Sequence, residues 1–121
     1  MILVDTSVWI DHFRNHVSLL HDFLLEEQVA IHPLIIGELA CGNLRQRTEI
    51  LILLESLPHT TMADHSEVIS FLKHQNLYGK GLGWIDLHLL ASSTLSHIPF
   101  WTRDLRLQKE AQRIGVASPV E

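Results

Sequence analysis

Short runs of consecutive apolar residues alternate along this chain with longer stretches in which apolar residues recur every three or four positions. The first pattern suits strands buried on both faces, and the second suits amphipathic helices. Ile2-Leu3-Val4 opens as such a strand. Helical spacing follows from about Ser7 to Asn15, with Val8, Trp9 and Phe13 apolar. It resumes from about Ser18 to Glu27, with Leu19, Leu20, Phe23 and Leu24. Val29-Ala30-Ile31 reads as a second strand, stopped by Pro33. Helices are predicted over Leu34–Gly42 and Arg47–Ser56, parted by Gly42-Asn43, and His59-Thr60-Thr61 as a short strand after Pro58. Asp64-x-x-Glu67 has the form of a capping box opening a helix to about Gln75. Gly79-Lys80-Gly81-Leu82-Gly83 is a glycine-rich loop. A helix over Trp84–Ser96, a strand over Pro99–Thr102 and a helix over Leu105–Ile114 follow. Gly115 closes that helix, and Val116-Ala117 reads as an edge strand. The alternation predicts an α/β fold: a central parallel sheet of about four to five short strands with helices on both faces.

The chain has 121 residues, enough for one domain spanning 1–121. Apolar residues make up 46% and charged residues 19%, so there is material for a packed core. The lone Cys41 excludes an internal disulfide or a cysteine-rich zinc site, and fits a reducing compartment. No apolar run approaches the ~18 residues of a membrane span. The opening Met-Ile-Leu-Val-Asp has no basic region and no long apolar run, so no secretory signal is expected. These features predict a soluble, cytoplasmic protein. Nine Lys and Arg against fourteen Asp and Glu give a net charge of −5. Taken alone, that balance argues against a nucleic-acid partner.

The placement of four acids changes the picture. Asp5 directly follows the first strand, and Asp104 follows the strand that ends at Trp101-Thr102. Ligands of open parallel sheets bind beyond the carboxyl ends of strands. Each Asp is equally readable as a helix N-cap. On a helix, Glu38 has Leu34, Ile35, Cys41 and Gly42 as neighbours, an apolar face on which a carboxylate needs a cation, either an Arg or a metal. Asp86 sits in the first turn of its helix, where the dipole favours it, and shares a face with Leu89 and Leu90. Clustered carboxylates repel unless a cation neutralises them or some take up protons. Hard oxygen ligands suit Mg²⁺ or Mn²⁺, and such a site activates water against a phosphodiester.

Four segments then carry a family resemblance. They are Ile2-Leu3-Val4-Asp5-Thr6-Ser7-Val8-Trp9-Ile10, Ile36-Gly37-Glu38-Leu39, Gly81-Leu82-Gly83-Trp84-Ile85-Asp86-Leu87-His88-Leu89-Leu90-Ala91 and Trp101-Thr102-Arg103-Asp104-Leu105. In order and spacing they resemble the PIN-domain ribonucleases of the VapC toxin type, over nearly the whole chain. The resemblance implies an α/β/α sandwich and a metal-dependent endoribonuclease, the toxin of a type II toxin–antitoxin pair. It implies a catalytic quartet of Asp5, Glu38, Asp86 and Asp104. Asp5, Asp86 and Asp104 would be the Mg²⁺ or Mn²⁺ ligands, and Glu38 would orient or deprotonate the attacking water. The expected products carry a 5′-phosphate and a 3′-hydroxyl. RNA, with transfer RNA favoured, a VapB-type antitoxin and a second copy of the chain are the implied partners. Arg106 and Leu107 stand where many members carry a further acid or Asn, which argues for one tightly held metal rather than two. The alternative is a PIN scaffold that binds RNA or protein without turnover. A phosphotransfer enzyme with Asp5 as nucleophile would need a second Asp where Ser7 stands.

Thr6, Ser7 and Thr102 flank the acids and could hold a carboxylate in place, or cap helices. Arg14, Lys80 and Arg103 are candidates for phosphate contact. Arg103, Arg106, Lys109 and Arg113 form either a basic strip or a solvated helix face. His12 and His16 have the i, i+4 spacing of zinc ligands, but no His-Glu-x-x-His accompanies them, so the nine histidines read as surface groups. Leu19, Leu20, Phe23, Leu24 and Leu25, and Ile50 to Leu54, are more apolar than one packed face needs. The resemblance would make these helices the antitoxin groove. Setting the quartet aside leaves ten acids against nine bases, a balance of −1.

Overall fold

The computed structural model describes residues 1–121. Its elements are β1 (Ile2–Val4), α1 (Thr6–Asn15), α2 (Ser18–Leu25), β2 (Val29–Ala30), α3 (Pro33–Ala40), α4 (Arg47–Ser56), α5 (His65–His74), α6 (Trp84–Ser96), β3 (Phe100–Trp101) and α7 (Leu105–Arg113). The strands pair in parallel in the order β2-β1-β3. Ile2 and Leu3 face Val29 and Ala30 on one side, and Leu3 and Val4 face Phe100 and Trp101 on the other. Every strand residue is buried, as expected of a sheet covered on both faces.

The sheet is narrower than the sequence predicts. The segments at His59 and Ala117 each join by a single bridge, to Ile31 and to Phe100, and form no further strands. Pro58 lacks an N–H for the ladder, and the chain leaves both edges at once. No helix is long and apolar enough to cross a membrane.

Side chains satisfy the first N–H groups of several helices, α3, α5 and α7 among them. Asp64 and Glu67 cap α5 reciprocally, as their spacing predicts. Pro33 occupies the first turn of α3, so it starts that helix as well as ending the strand before it. Gly115, at φ +82°, ends α7 in the left-handed region. Buried residues run without a break from Leu87 to Ser93, making α6 the central helix of the core. By contrast, Leu25, Ile52 and Leu53 of α2 and α4 remain exposed.

The histidines do not all lie on the surface. His32 is fully buried and His88 nearly so. His32 Nδ1 accepts from Leu34 N–H at 3.0 Å and so caps α3. Burial, with His88 and His59 nearby, pulls His32 down to about 4. His12 Nδ1 accepts from Val17 N–H, and burial together with His16 and His21 pulls its pKa down too. That bond uses one His12 nitrogen, and no metal-binding group forms with His16.

His32 makes stability depend on pH. Its folded pKa lies below the unfolded 6.5, so the contribution is complete above pH 6.5 and is lost as pH falls towards 4. Urea unfolding between pH 7 and 4.5 should show this fall. The variant His32→Asn keeps a capping acceptor and has nothing to titrate, and it should flatten the fall by on the order of 2–3 kcal/mol. An unchanged pH profile in the variant would contradict the assignment.

Candidate active site

β1 is the central strand; the chain passes from it to β2 on one side and then crosses over it to β3 on the other. That makes the carboxyl end of β1 a topological switch point, where open α/β sheets build their clefts. Asp5 is the first residue beyond β1 and is only 6% exposed. Its Oδ2 accepts from Ser7 Oγ and from Thr102 Oγ1, both at 2.7 Å. Thr102 Oγ1 in turn accepts from Asp104 N–H at 3.1 Å, and Ser7 Oγ accepts from Arg103 N–H at 3.0 Å. Ser7 and Thr102 therefore hold the exits of β1 and β3 together. Asp104 is exposed and caps α7, its Oδ1 accepting from the N–H groups of Arg106 and Leu107. Capping uses only Oδ1 of Asp104 and leaves its other oxygen without a protein partner.

Asp86 reaches the same edge from the first turn of α6. Its Oδ2 accepts from Gly83 N–H at 3.0 Å. Partial burial pushes the Asp86 carboxyl above the usual carboxylate range, against the pull of the Gly83 N–H. The charges of Asp5 and Asp104 push it the same way, so these three acids lie within electrostatic reach of one another. Glu38 is tied to this edge through Thr6, whose hydroxyl donates to Glu38 Oε1 at 2.8 Å.

The sequence reading of Glu38 needs correction. Ile35, Ile36 and Leu39 bury the apolar stripe of α3, while Gly37 and Glu38 are exposed. The carboxylate is solvated and needs no cation to justify its place.

Each acid thus has one oxygen held by protein donors: Asp5 Oδ2, Glu38 Oε1, Asp86 Oδ2 and Asp104 Oδ1. The second oxygen of each has no protein partner. As they stand, no three His, Cys, Asp or Glu side chains are arranged to hold a metal ion. Like charges without a cation keep their distance. The donor set still fits Mg²⁺ or Mn²⁺, being four hard oxygens fixed at their far ends.

The predicted phosphate contacts fare differently. Arg103 is half-buried and committed elsewhere. Its guanidinium pairs with Asp11 at 3.0 Å and with Glu121, which hold it firmly protonated. Arg113 pairs with Glu110 at 2.8 Å, so the basic strip is broken up. Arg14 and Lys80 are exposed and make no ion pair. Two neighbours of the site escaped the sequence reading as site residues. Arg106 packs against the Gly81 backbone, and Trp84 is a partly exposed aromatic two residues before Asp86. A bulky aromatic at the first position of a helix that follows a glycine loop was the available signal. The largest cavity, about 560 Å³ between α5 and α6, touches none of the four acids.

The sequence profile of the PIN domain matches residues 2–112. Ribonuclease VapC32 of Mycobacterium tuberculosis, in strains CDC 1551 / Oshkosh and H37Rv, is 42% identical over 118 residues. The match covers 97% of this chain and 95% of that protein. On these matches and on its parallel α/β fold, the chain belongs to the PIN-domain family, among the VapC ribonucleases.

Proposed function

We propose that the protein is a divalent-metal-dependent endoribonuclease, the toxin of a toxin–antitoxin pair. The observation that carries this reading is the convergence of Asp5, Asp86 and Asp104 on one sheet edge. Each has one oxygen fixed by protein donors and one left for a ligand. The relationship to Ribonuclease VapC32 supports RNA as the substrate. Asp5, Asp86 and Asp104 would hold Mg²⁺ or Mn²⁺. When bound, the ion supplies positive charge against phosphate oxygens and lowers the pKa of water.

The chain's own groups do the rest. Ser7 and Thr102 fix the orientation of Asp5, because both donate to its Oδ2. Thr6 fixes Glu38 Oε1, leaving Oε2 to take a proton from the attacking water. The water oxygen bonds to phosphorus and the P–O3′ bond breaks. The product ends are a 5′-phosphate and a 3′-hydroxyl, the latter taking its proton from solvent. Transfer RNA is the favoured substrate class. The exposed Leu25, Ile52 and Leu53 would receive a segment of a VapB-type antitoxin, whose basic side chain would occupy the acidic site. The toxin would act in the cytoplasm and pair with a second copy of itself.

Purified protein, freed of any antitoxin, should cut RNA with Mg²⁺ or Mn²⁺ and stop on addition of EDTA. Asp5→Asn should reduce cleavage to the metal-free background. Activity indifferent to EDTA and to Asp5→Asn would overturn the metal mechanism. RNA binding without any cleavage in either metal would leave a non-catalytic scaffold.

Thr102→Val keeps the shape at 102 and removes the hydroxyl. It should cost about 10–100-fold in activity or metal affinity, as loss of a ligand's supporting hydrogen bond does. Recovery of rate at high Mg²⁺ would locate the defect in metal affinity.

A further inference from the structure

Between Asp86 and Asp104 lies a surface that the acid chemistry leaves unexplained. Trp84, the first residue of α6, stays 39% exposed, whereas Trp9 and Trp101 are sealed in the core at 0% and 1%. It is braced by two rings. His65 at the start of α5 lies 5.0 Å away, and His88 meets it edge-on at 4.9 Å. An indole held this way presents a rigid aromatic surface two residues from Asp86, and little freedom is left to lose on binding.

A cation of α7 rests against the loop that leads into α6. The Arg106 side chain lies against Gly81, where a Cβ would come within 2.9 Å of its Nη1 and 3.3 Å of its Cδ. Gly81 also has φ +78°, so glycine is required there twice over. Arg106 pairs with no carboxylate, although its own backbone N–H bonds Asp104 Oδ1 at 3.0 Å. Lys80, beside it, is exposed and likewise unpaired. Gly81 and Trp84 are three residues apart, at most about 11 Å along the chain. That span bounds the loop between Gly81, on which Arg106 rests, and Trp84, and an aromatic plate and free cations at the two ends of one short loop match a nucleobase and its backbone phosphates.

From this juxtaposition we infer that Trp84 and Arg106 form a nucleotide clamp beside the acids, with Trp84 stacking an unpaired base and Arg106 binding a neighbouring phosphate. The clamp selects single-stranded segments, since a paired base cannot leave its stack to lie on Trp84. It places the cut next to a splayed-out nucleotide. This rests on the nuclease reading and assigns two residues outside the acid quartet to holding its RNA.

The test uses the full chain carrying Asp5→Asn and an unstructured twelve-nucleotide RNA, alone or annealed to its complement. Trp84 is the one exposed tryptophan, so base stacking should quench the intrinsic fluorescence that solvent reaches. The single strand should bind and quench, and the duplex should do neither. Adding Trp84→Ala should remove the quench and weaken binding roughly tenfold or more. Trp84→Phe, which keeps an aromatic face and guards against a folding defect, should stay within about threefold of the parent. Arg106→Gln should weaken binding and make the salt dependence shallower by about 0.7 in log–log slope. Binding of the Trp84→Ala protein as tight as the parent, or equal binding of the duplex with equal quenching, would overturn the clamp and leave this face to a protein partner. Cleavage by the unmutated protein is scored separately. If it binds and quenches but never cuts, the nuclease reading falls and the clamp stands.

Discussion

One carboxylate oxygen organises this end of the molecule. Asp5 Oδ2 receives hydroxyl protons from Ser7 and Thr102, residues 95 positions apart in the chain. A buried carboxylate oxygen needs such donors, and removing one would leave a costly unmet acceptor. Each hydroxyl has a single proton, and both are committed to Asp5. The 3.3 Å approach of Ser7 to Thr102 is therefore contact without a proton to share. The same hydroxyls accept from Arg103 and Asp104 N–H groups, so the register of β3 against β1 and the position of Asp104 follow from Asp5. Saturating Oδ2 also gives Asp5 a direction, with Oδ1 left without a protein partner.

The other acids repeat this division of labour with different donors. Asp86 and Asp104 satisfy backbone N–H groups around the starts of α6 and α7, and Glu38 takes the Thr6 hydroxyl. Capping and ligation are often weighed as rival explanations for an acid at a helix start. Here a carboxylate does the first with one oxygen and keeps the second free. The Asp86 carboxyl is raised first by its partial burial, and the charges of Asp5 and Asp104 add to the shift.

This much was legible in the sequence because parallel topology sends the carboxyl ends of β1 and β3 to the same edge. Acids placed just past Val4 and Trp101 had to meet. Capping chemistry is equally local, and Asp64 with Glu67 formed as their spacing implies. What escaped depends on tertiary packing. The neighbours of Glu38 on α3 are apolar, but exposure is decided by how the helix rolls on the sheet, and it rolls Ile35, Ile36 and Leu39 inward. His32 and His88 look like surface groups in composition, yet one caps α3 from inside the core and the other lines α6. The outer strands at His59 and Ala117 shrank to bridges because edge pairing depends on neighbours that a local pattern does not reveal.

The net charge of −5 takes on a different meaning once the ion pairs are known. It overstates repulsion of RNA, because four of the fourteen acids belong to the candidate site, where one divalent ion would cancel half of their charge. The count of nine bases overstates attraction, because Arg103 and Arg113 are already occupied by Asp11, Glu121 and Glu110. A protein with so little free positive charge lacks the broad field that steers nucleic acid from a distance. On the proposed reading, its hold on RNA would come from short-range groups, a cation at the acids and a few fixed contacts beside them. Binding of that kind neutralises few phosphates. It therefore tolerates moderate salt far better than binding that neutralises about 6–10 phosphates, which loses about 10³–10⁵ in affinity between 50 and 200 mM salt.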